Sequence, residues 1–396
     1  MAVVGIDAAT GSLRVGGTKV FPIVLSNGPP SASTAPSGRN ALAEVAAAGV
    51  RFLRTGIGNW SGEFLTGQIA NERKLLDAAA VHGLLCWTWL GRLPNLPAKA
   101  GSANEQLLTQ VVNALKGHPA LGAWKGIDEP ALAGAPAAGL VRAYRRIREL
   151  DPNHPVVIIQ APRGTAADLR KYAPAFDITG ADVYPVGYPP GTHAATKNKD
   201  LSVVGDITRK MVTAAAGKPV WTTLQIAWSG VLPPGHVPRF PTLLEERFMA
   251  YQAVVAGARG LAFFGGHLTP VMRPADAQSG WNWSFWETVL RPVVSELAST
   301  AVAPALVAPA SGHPIRADAA DVALAAREAG GFLYVIAVRR GQATSQVTFS
   351  GVPGADRQGE VLFEYAGGAF RPVAITRGGF RDWMGPHDAR VYRIRA

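Results

Sequence analysis

The sequence predicts an α/β protein in which a (β/α)8 TIM barrel is followed by a small antiparallel β-sandwich. Three observations support this fold class. About eight short apolar runs alternate with Ala-rich helical segments, and several of the helical segments stop at a glycine. From about residue 301 the helical segments give way to short strands divided by Gly-rich turns. A doubly wound open sheet usually needs fewer repeats, so the barrel is the favoured architecture.

The barrel strands are predicted at apolar runs that are too short for helices and are bounded by turn residues. A Gly-rich hairpin around residues 12–15 precedes the first of them. The eight predicted strands are Val20–Leu25, Phe52–Thr55, Leu84–Trp89, Leu121–Ile127, Val156–Gln160, Ile178–Val183, Val220–Leu224 and Gly260–Phe264.

The helices between these strands are predicted from an apolar stripe at helical spacing. Gly49, Gly83, Gly117 and Gly217 follow four of them, as expected at helix C-termini. The predicted helices are Asn40–Ala48, Ile69–His82, Asn104–Lys116, Gly139–Leu150, Ala166–Tyr172, Leu201–Ala216, Thr242–Ala256 and Trp286–Ser299. The barrel domain is therefore expected to span residues 1–300.

Residues 301–396 are expected to form the β-sandwich, packed rigidly on the barrel through a short Pro-marked boundary at 303–309. The final run shows clean period-2 alternation, which is typical of a strand with one buried face. The predicted sandwich strands are Val322–Ala326, Phe332–Ile336, Gln346–Phe349, Glu360–Glu364 and Asp388–Ile394.

The charge composition of the chain limits the classes of partner that it can be expected to bind. The net charge is +11 and the isoelectric point is near 10.0, yet the basic residues do not cluster. We therefore expect no nucleic-acid partner. A protein that does bind nucleic acid would show an affinity for DNA that falls steeply with salt concentration. A generally basic surface favours an anionic substrate or an anionic cell surface.

The single cysteine, Cys86, excludes an internal disulfide and a multi-cysteine zinc site. No metal-binding or phosphate-binding motif occurs, so neither a metal nor a cofactor is expected. No run reaches transmembrane length, so membrane insertion is not expected. The N-terminus lacks a secretory signal, which leaves a cytoplasmic protein or one whose leader has been removed. Oligomeric state is not determined by these features.

The fourth predicted strand ends in two acids, Asp128 and Glu129, followed by Pro130. Buried charge must be paired or neutralised, so acids at the end of a core strand are costly to fold around. The C-terminal strand ends are also where a (β/α)8 barrel carries its chemistry. An ordinary helix N-cap is the alternative for Asp128.

Because all C-terminal strand ends share one rim, residues far apart in sequence are expected to meet there. Carboxylates, an arginine, a histidine and several tryptophans on one rim are typical of a sugar site, where indole faces stack on sugar rings and acids cleave the glycosidic bond. The candidate catalytic residues are Glu129 and Asp182. The candidate substrate-binding residues are Arg54, Trp89, Asp128, Tyr184, Gln225, Trp228, His267 and Trp283.

The segment Ile127-Asp-Glu-Pro130 resembles the Asn-Glu-Pro-like motif that ends strand four in clan A glycoside hydrolases, a retaining (β/α)8 group. Arg54 matches the strand-two arginine of many members, and Asp182-Val-Tyr-Pro185 is similar to their strand-six segment. The resemblance implies that Glu129 is the general acid and that the C-terminal sandwich is a common appendage.

One position departs from that family. The clan places its nucleophilic glutamate at the end of strand seven, where this chain has Gln225, and an amide cannot form the glycosyl-enzyme ester. Three explanations remain open. Asp182 could supply the second carboxylate, the N-acetyl group of a substrate could act as nucleophile, or the barrel could bind sugar without cleaving it.

Several candidates have a structural alternative. Asp182 could be a turn residue, Arg54 could simply neutralise Glu129, and His267 could cap a loop. Glu63 is expected to be solvated rather than catalytic. We predict a glycoside hydrolase with Glu129 as general acid, and the competing hypothesis is a non-catalytic carbohydrate-binding barrel.

Overall fold

The computed structural model describes residues 3–97, 100–187, 196–227, 239–268, 272–364 and 370–396. Its centre is an eight-stranded parallel sheet, built from β4 to β11. The ring closes between the sixth and seventh of these strands, where the Val183 N–H donates to the Thr223 carbonyl at 2.9 Å and the Thr179 N–H to that of Pro219 at 3.1 Å. The predicted (β/α)8 barrel is therefore confirmed.

The barrel strands are short and almost entirely buried, because helices cover their outer faces and side chains fill the interior. They are β4 (Ile23–Ser26), β5 (Phe52–Gly56), β6 (Leu85–Trp89), β7 (Leu121–Lys125), β8 (Val156–Gln160), β9 (Ile178–Ala181), β10 (Trp221–Gln225) and β11 (Gly260–Phe264). The strand predicted to run to Ile127 thus ends at Lys125, two residues earlier.

The surrounding helices begin and end at residues that satisfy their terminal backbone groups. The Asn40 side chain accepts from the Leu42 and Ala43 N–H groups, and Thr242 forms a capping box with Glu245. The helices are α1 (Ala41–Ala48), α2 (Leu65–Val81), α3 (Ala103–Leu115), α4 (Ala137–Leu150), α5 (Ala166–Arg170), α6 (Val203–Ala214), α7 (Leu243–Val255), α8 (Pro274–Ser279), α9 (Trp283–Phe285), α10 (Arg291–Ala298) and α11 (Ala303–Val307). A 3-10 turn at Ala173–Ala175 and a π-turn at Trp286–Leu290 complete the set.

A small antiparallel sheet closes the bottom of the barrel. It consists of β1 (Val4–Ile6), β2 (Leu13–Val15) and β3 (Thr18–Val20). Val4 and Leu13 join the same buried cluster as the interior residues Phe52 and Trp221. The hairpin predicted near the N-terminus therefore seals the end of the barrel opposite the strand C-termini.

The C-terminal residues form two antiparallel sheets that enclose their own apolar core, which confirms the sandwich. Phe349, Phe380 and Tyr392 stack at its centre. The strands are β12 (Arg316–Ala317), β13 (Val322–Ala329), β14 (Phe332–Arg339), β15 (Ser345–Ser350), β16 (Arg357–Leu362), β17 (Arg371–Ile375), β18 (Gly379–Met384) and β19 (Ala389–Arg395). The sequence analysis missed β12, β17 and β18.

The sandwich packs on the barrel through a continuous apolar core. Ile336 and Val391 belong to the cluster that also holds the α7 residues Phe248 and Tyr251. Arg247 forms a salt bridge with Glu296 at 2.7 Å.

No helix in the described part of the chain is both long and apolar enough to cross a membrane.

Closure of the barrel generates a prediction at Gly180. A Cβ atom there would lie 1.6 Å from the backbone oxygen of Trp221 on the neighbouring strand. We expect Gly180→Ala to lower the free energy of unfolding by about 3 kcal/mol or more, because β9 and β10 cannot separate without opening the ring. Urea denaturation followed by circular dichroism measures this.

Gly67→Ala is the matched control, since its Cβ would meet nothing within 4 Å and it lies inside α2. Alanine is the better helix former, so this variant is expected to gain about 0.5–1 kcal/mol. Equal effects of the two substitutions would contradict the closure argument.

Candidate active site

A cavity of about 300 Å³ lies at the mouth of the barrel, where the C-terminal ends of the parallel strands meet. Five of the residues predicted to form the site line it, together with others that were not predicted. The lining consists of Ser26, Arg54, Trp87, Lys125, Asp128, Glu129, Leu132, Ile159, Ala161, Arg163, Asp182, Tyr184, Thr223 and Phe264.

Glu129 reaches the cavity because the chain turns sharply after β7. Its φ angle is 44°, in the left-handed region that non-glycine residues rarely adopt. The Glu129 N–H donates to the Ile159 carbonyl at 2.9 Å, which ties the turn to β8. A strained backbone of this kind costs about 1–3 kcal/mol and is typical of functional sites.

The Glu129 and Asp182 carboxyl groups are in hydrogen-bonding contact across the cavity. Burial raises the pKa of both groups, and the Glu129 charge raises that of Asp182 further. Two carboxylates in contact cannot both ionise at low cost, so the pair retains a proton at a pH where exposed acids have lost theirs.

Tyr184 lies beside this pair, whereas the predicted His267 is not part of the cavity lining. The Tyr184 hydroxyl is hydrogen-bonded to Asp182, and burial raises its pKa well above the ordinary value, so it is a neutral donor. Its ring stacks on Phe264 at 5.6 Å, and His267 packs edge-on to Phe264 at 5.5 Å. Burial and the Arg54 charge lower the pKa of His267 to about 4, so its imidazole is neutral at pH 7.

Two cations face the same cavity. Lys125, which is 3% exposed, projects inward from the end of β7, and its ammonium group pairs with Asp128 at 2.5 Å. The Arg54 guanidinium donates to the Asn27 side-chain oxygen. Burial lowers the pKa of both basic groups. The expected helix-capping alternative for Asp128 gives way to an ion pair in the site.

Gln225 lies at the end of β10 but does not line the cavity. Its side chain is fully buried, and its amide forms two hydrogen bonds with Val186. The Val186 N–H donates to Oε1 at 2.7 Å, and Nε2 donates to the Val186 carbonyl at 3.0 Å. An amide can satisfy both backbone groups, whereas a carboxylate can only accept. Gln225 therefore holds the segment after β9 in place.

Two of the predicted tryptophans, Trp89 and Trp283, are not part of the cavity lining. Trp89 is half-buried and its ring is contacted by Arg54 and Lys125. Trp283 is 2% exposed and packs on Trp281 with ring centroids 4.9 Å apart, as part of the apolar core. Trp228 lies outside the described residues.

The sequence analysis did not select Lys125, Arg163, Thr223 or Phe264 for the site. A lysine inside an otherwise apolar strand was the available signal for Lys125, since a buried ammonium needs a partner. Arg163 and Phe264 carried no such signal, because only the closed ring brings them to the cavity. Across the residues that the structure describes, no cluster of three or more His, Cys, Asp or Glu side chains could hold a metal ion.

The solved structures that resemble this chain include glycoside hydrolases. A family 5 member from Bacteroides vulgatus has a TM-score of 0.65 and 14% identity, covering 99% of this chain and 92% of its own. Another glycoside hydrolase has a TM-score of 0.64 and 14% identity, covering 100% of this chain and 96% of its own. A family 30 endoxylanase from Clostridium papyrosolvens has a TM-score of 0.51 and 12% identity, covering 96% and 97%. At such identities the likeness shows the fold alone.

No protein-family model matches the chain, and no curated protein matches its sequence.

The Gln225 geometry predicts an effect on stability. Gln225→Ala leaves the buried N–H and carbonyl of Val186 unpaired, so we expect a loss of about 2–3 kcal/mol in the free energy of unfolding. Gln225→Glu is expected to be destabilised as well at pH 7, because a carboxylate cannot donate to that carbonyl. Urea denaturation of both variants measures the loss. An unchanged stability in Gln225→Glu would mean that the side chain does not hold Val186.

The raised pKa of Asp182 predicts a pH dependence of stability. The folded state binds the proton more tightly than the unfolded state, so the wild-type protein loses stability as pH rises from about 4 through the raised folded pKa. Asp182→Asn lacks this loss. Relative to wild type, its free energy of unfolding at high pH should rise by about 1.4 kcal/mol for each unit by which the pKa of Asp182 is raised.

Urea denaturation of wild type and Asp182→Asn between about pH 4 and pH 8 tests this, with the difference growing toward high pH. Glu63→Gln, at an exposed carboxylate, is the control and should show no such trend. A constant difference between wild type and Asp182→Asn at all pH values would contradict the prediction.

Proposed function

We propose that this protein hydrolyses a glycosidic bond in an oligo- or polysaccharide, with Glu129 as the general acid. The observation that carries the proposal is the carboxyl pair of Glu129 and Asp182 inside a cavity at the mouth of a (β/α)8 barrel. Solved glycoside hydrolases share the barrel and its appended sheets, which supports the same reaction class.

Glu129 is suited to donate a proton to the leaving oxygen of the scissile bond. Its pKa is raised by burial, so it keeps that proton closer to neutral pH than an exposed glutamate does. Asp128 does not compete for the role, because it pairs with Lys125.

Asp182 is the proposed second carboxylate. Retaining enzymes separate their two carboxyl groups by about 5–5.5 Å and inverting ones by about 6.5–9.5 Å. Glu129 and Asp182 share a hydrogen bond in this structure, which leaves no room for a water between them. Activation of a water by Asp182 requires that the pair separates when the sugar enters. Tyr184 then holds Asp182 through its hydroxyl.

The roles of the remaining candidates follow from their contacts. Arg54 and Asp128 are proposed to contact substrate because they line the cavity. His267 is proposed as a neutral hydrogen-bonding group beside Phe264. Gln225 is proposed to position residues 183–186 rather than to touch the sugar.

Glu129→Gln tests the proposal. The amide cannot donate a carboxylic proton, so we expect turnover of aryl glycosides and release of reducing ends to fall by about 10²–10⁴-fold with the fold intact. Glu63→Gln, at an exposed glutamate outside the cavity, is the control and should keep wild-type activity. Full activity in Glu129→Gln would remove Glu129 as the acid.

A second candidate function is sugar binding without cleavage. Gln225 favours it, because the end of β10 offers an amide that is committed to Val186 rather than a carboxylate. Polysaccharide binding by the wild-type protein without release of reducing ends would select this function over hydrolysis.

A further inference from the structure

Two cationic side chains of the cavity lining lie against the ring of Trp89. The Arg54 Cζ atom lies 4.9 Å from the centroid of the Trp89 ring, and the Lys125 Nζ atom lies 5.3 Å from it. Both side chains project inward from barrel strands. A ring face attracts a cation most strongly where water is excluded, so Trp89 stabilises positive charge at the mouth of the barrel.

Basic and acidic side chains are equal in number in this cavity. Its lining holds three basic side chains (Arg54, Lys125 and Arg163) and three carboxyl groups (Asp128, Glu129 and Asp182). Burial raises the pKa of the Glu129 and Asp182 carboxyl groups, which weakens the negative charge that offsets the buried cations Arg54 and Lys125. A partly buried site of this kind favours an anionic ligand.

Arg54 and Lys125 differ in their hydrogen-bond partners. Lys125 is paired with Asp128, whereas Arg54 donates to the neutral amide of Asn27. Within the described ranges Arg54 forms no salt bridge. The Asp128 charge that acts on Arg54 also serves as the ion-pair partner of Lys125. A guanidinium held away from water is costly, and a planar carboxylate satisfies it through two parallel hydrogen bonds.

We propose that Arg54, with Lys125 beside it, binds the carboxylate of a uronic acid residue in the substrate. The cavity of about 300 Å³ is at the lower end of the range for ligand sites, which suits a single sugar ring rather than a long chain segment. The overall charge of +11 attracts an acidic polysaccharide from a distance. The inference rests on the proposed function, because it uses the same cavity.

Matched pairs of aryl glycosides test the inference. The wild-type protein is assayed on glucuronides against glucosides and on galacturonides against galactosides, in both anomers. We expect kcat/KM to be at least tenfold higher for the uronide of the preferred pair. In Arg54→Gln the ratio of uronide to neutral kcat/KM should fall by about 30-fold or more, because the carboxylate loses its buried partner.

Two further variants separate the role of the Arg54 side chain from that of positive charge in general. Arg54→Lys keeps the charge but loses the planar fork, so its ratio should lie between those of wild type and Arg54→Gln. Arg39→Gln removes one positive charge from the exposed surface and should leave the ratio unchanged. Circular dichroism verifies that each variant is folded.

The outcomes separate the two proposals. Cleavage of neutral glycosides as fast as uronides, with the ratio unchanged in Arg54→Gln, overturns the uronic acid inference and leaves the hydrolase proposal standing. Absence of cleavage on every substrate contradicts the hydrolase proposal.

In that second case, NMR titration with D-glucuronate, D-galacturonate and D-glucose still decides the inference. Binding of a uronate but not of glucose, lost in Arg54→Gln, supports it. The absence of uronate binding, or displacement of the uronate by an equal concentration of inorganic sulfate, overturns it.

Discussion

The Glu129 and Asp182 carboxyl groups are in contact at the mouth of the barrel, where little water reaches them. The side chains around them offset the electrostatic cost of that contact. Glu129 accepts a strained backbone to face Asp182, and Tyr184 donates to Asp182 from the next inward position along the chain. Lys125 and Arg54 supply positive charge nearby, and Trp89 stabilises those cations. Burial raises the pKa of each carboxyl group, and the Glu129 charge raises that of Asp182 further.

The outer layers of the barrel hold this arrangement in place. Glu72 of α2 is 3% exposed and accepts from the Gly56 N–H at 2.8 Å and from the Thr88 hydroxyl at 3.1 Å, so one helix fixes the ends of the two strands that carry Arg54 and Trp89. Gly56 has a φ of 76°, and a Cβ there would lie 2.3 Å from the Trp89 carbonyl oxygen. The N-terminal sheet closes the opposite end, so the mouth is the accessible side of the barrel interior.

Most of the fold could be predicted because apolar periodicity and glycine stops are local signals. β8 and β11 were predicted with the bounds that the structure has. The missed strands β17 and β18 contain Arg371 and Asp382, whose side chains form a salt bridge at 2.6 Å. Charged residues of this kind make a strand resemble a loop in the sequence. Strand ends likewise pointed to Glu129, Asp182, Arg54 and Tyr184 as neighbours. The direction of the Gln225 amide and the burial of Trp283 depend on packing partners far away in the chain.

The sequence by itself determined the repeated strand–helix pattern, the acidic end of the fourth barrel strand and the amide at position 225, because each is carried by residue type and spacing. Only the tertiary structure decided which side chains share a cavity. Ring closure brings Asp182 against Glu129 and places Lys125 and Arg54 on one indole ring, while Gln225 turns to Val186. These contacts join residues that are tens of positions apart, and local sequence patterns carry no information about such distances.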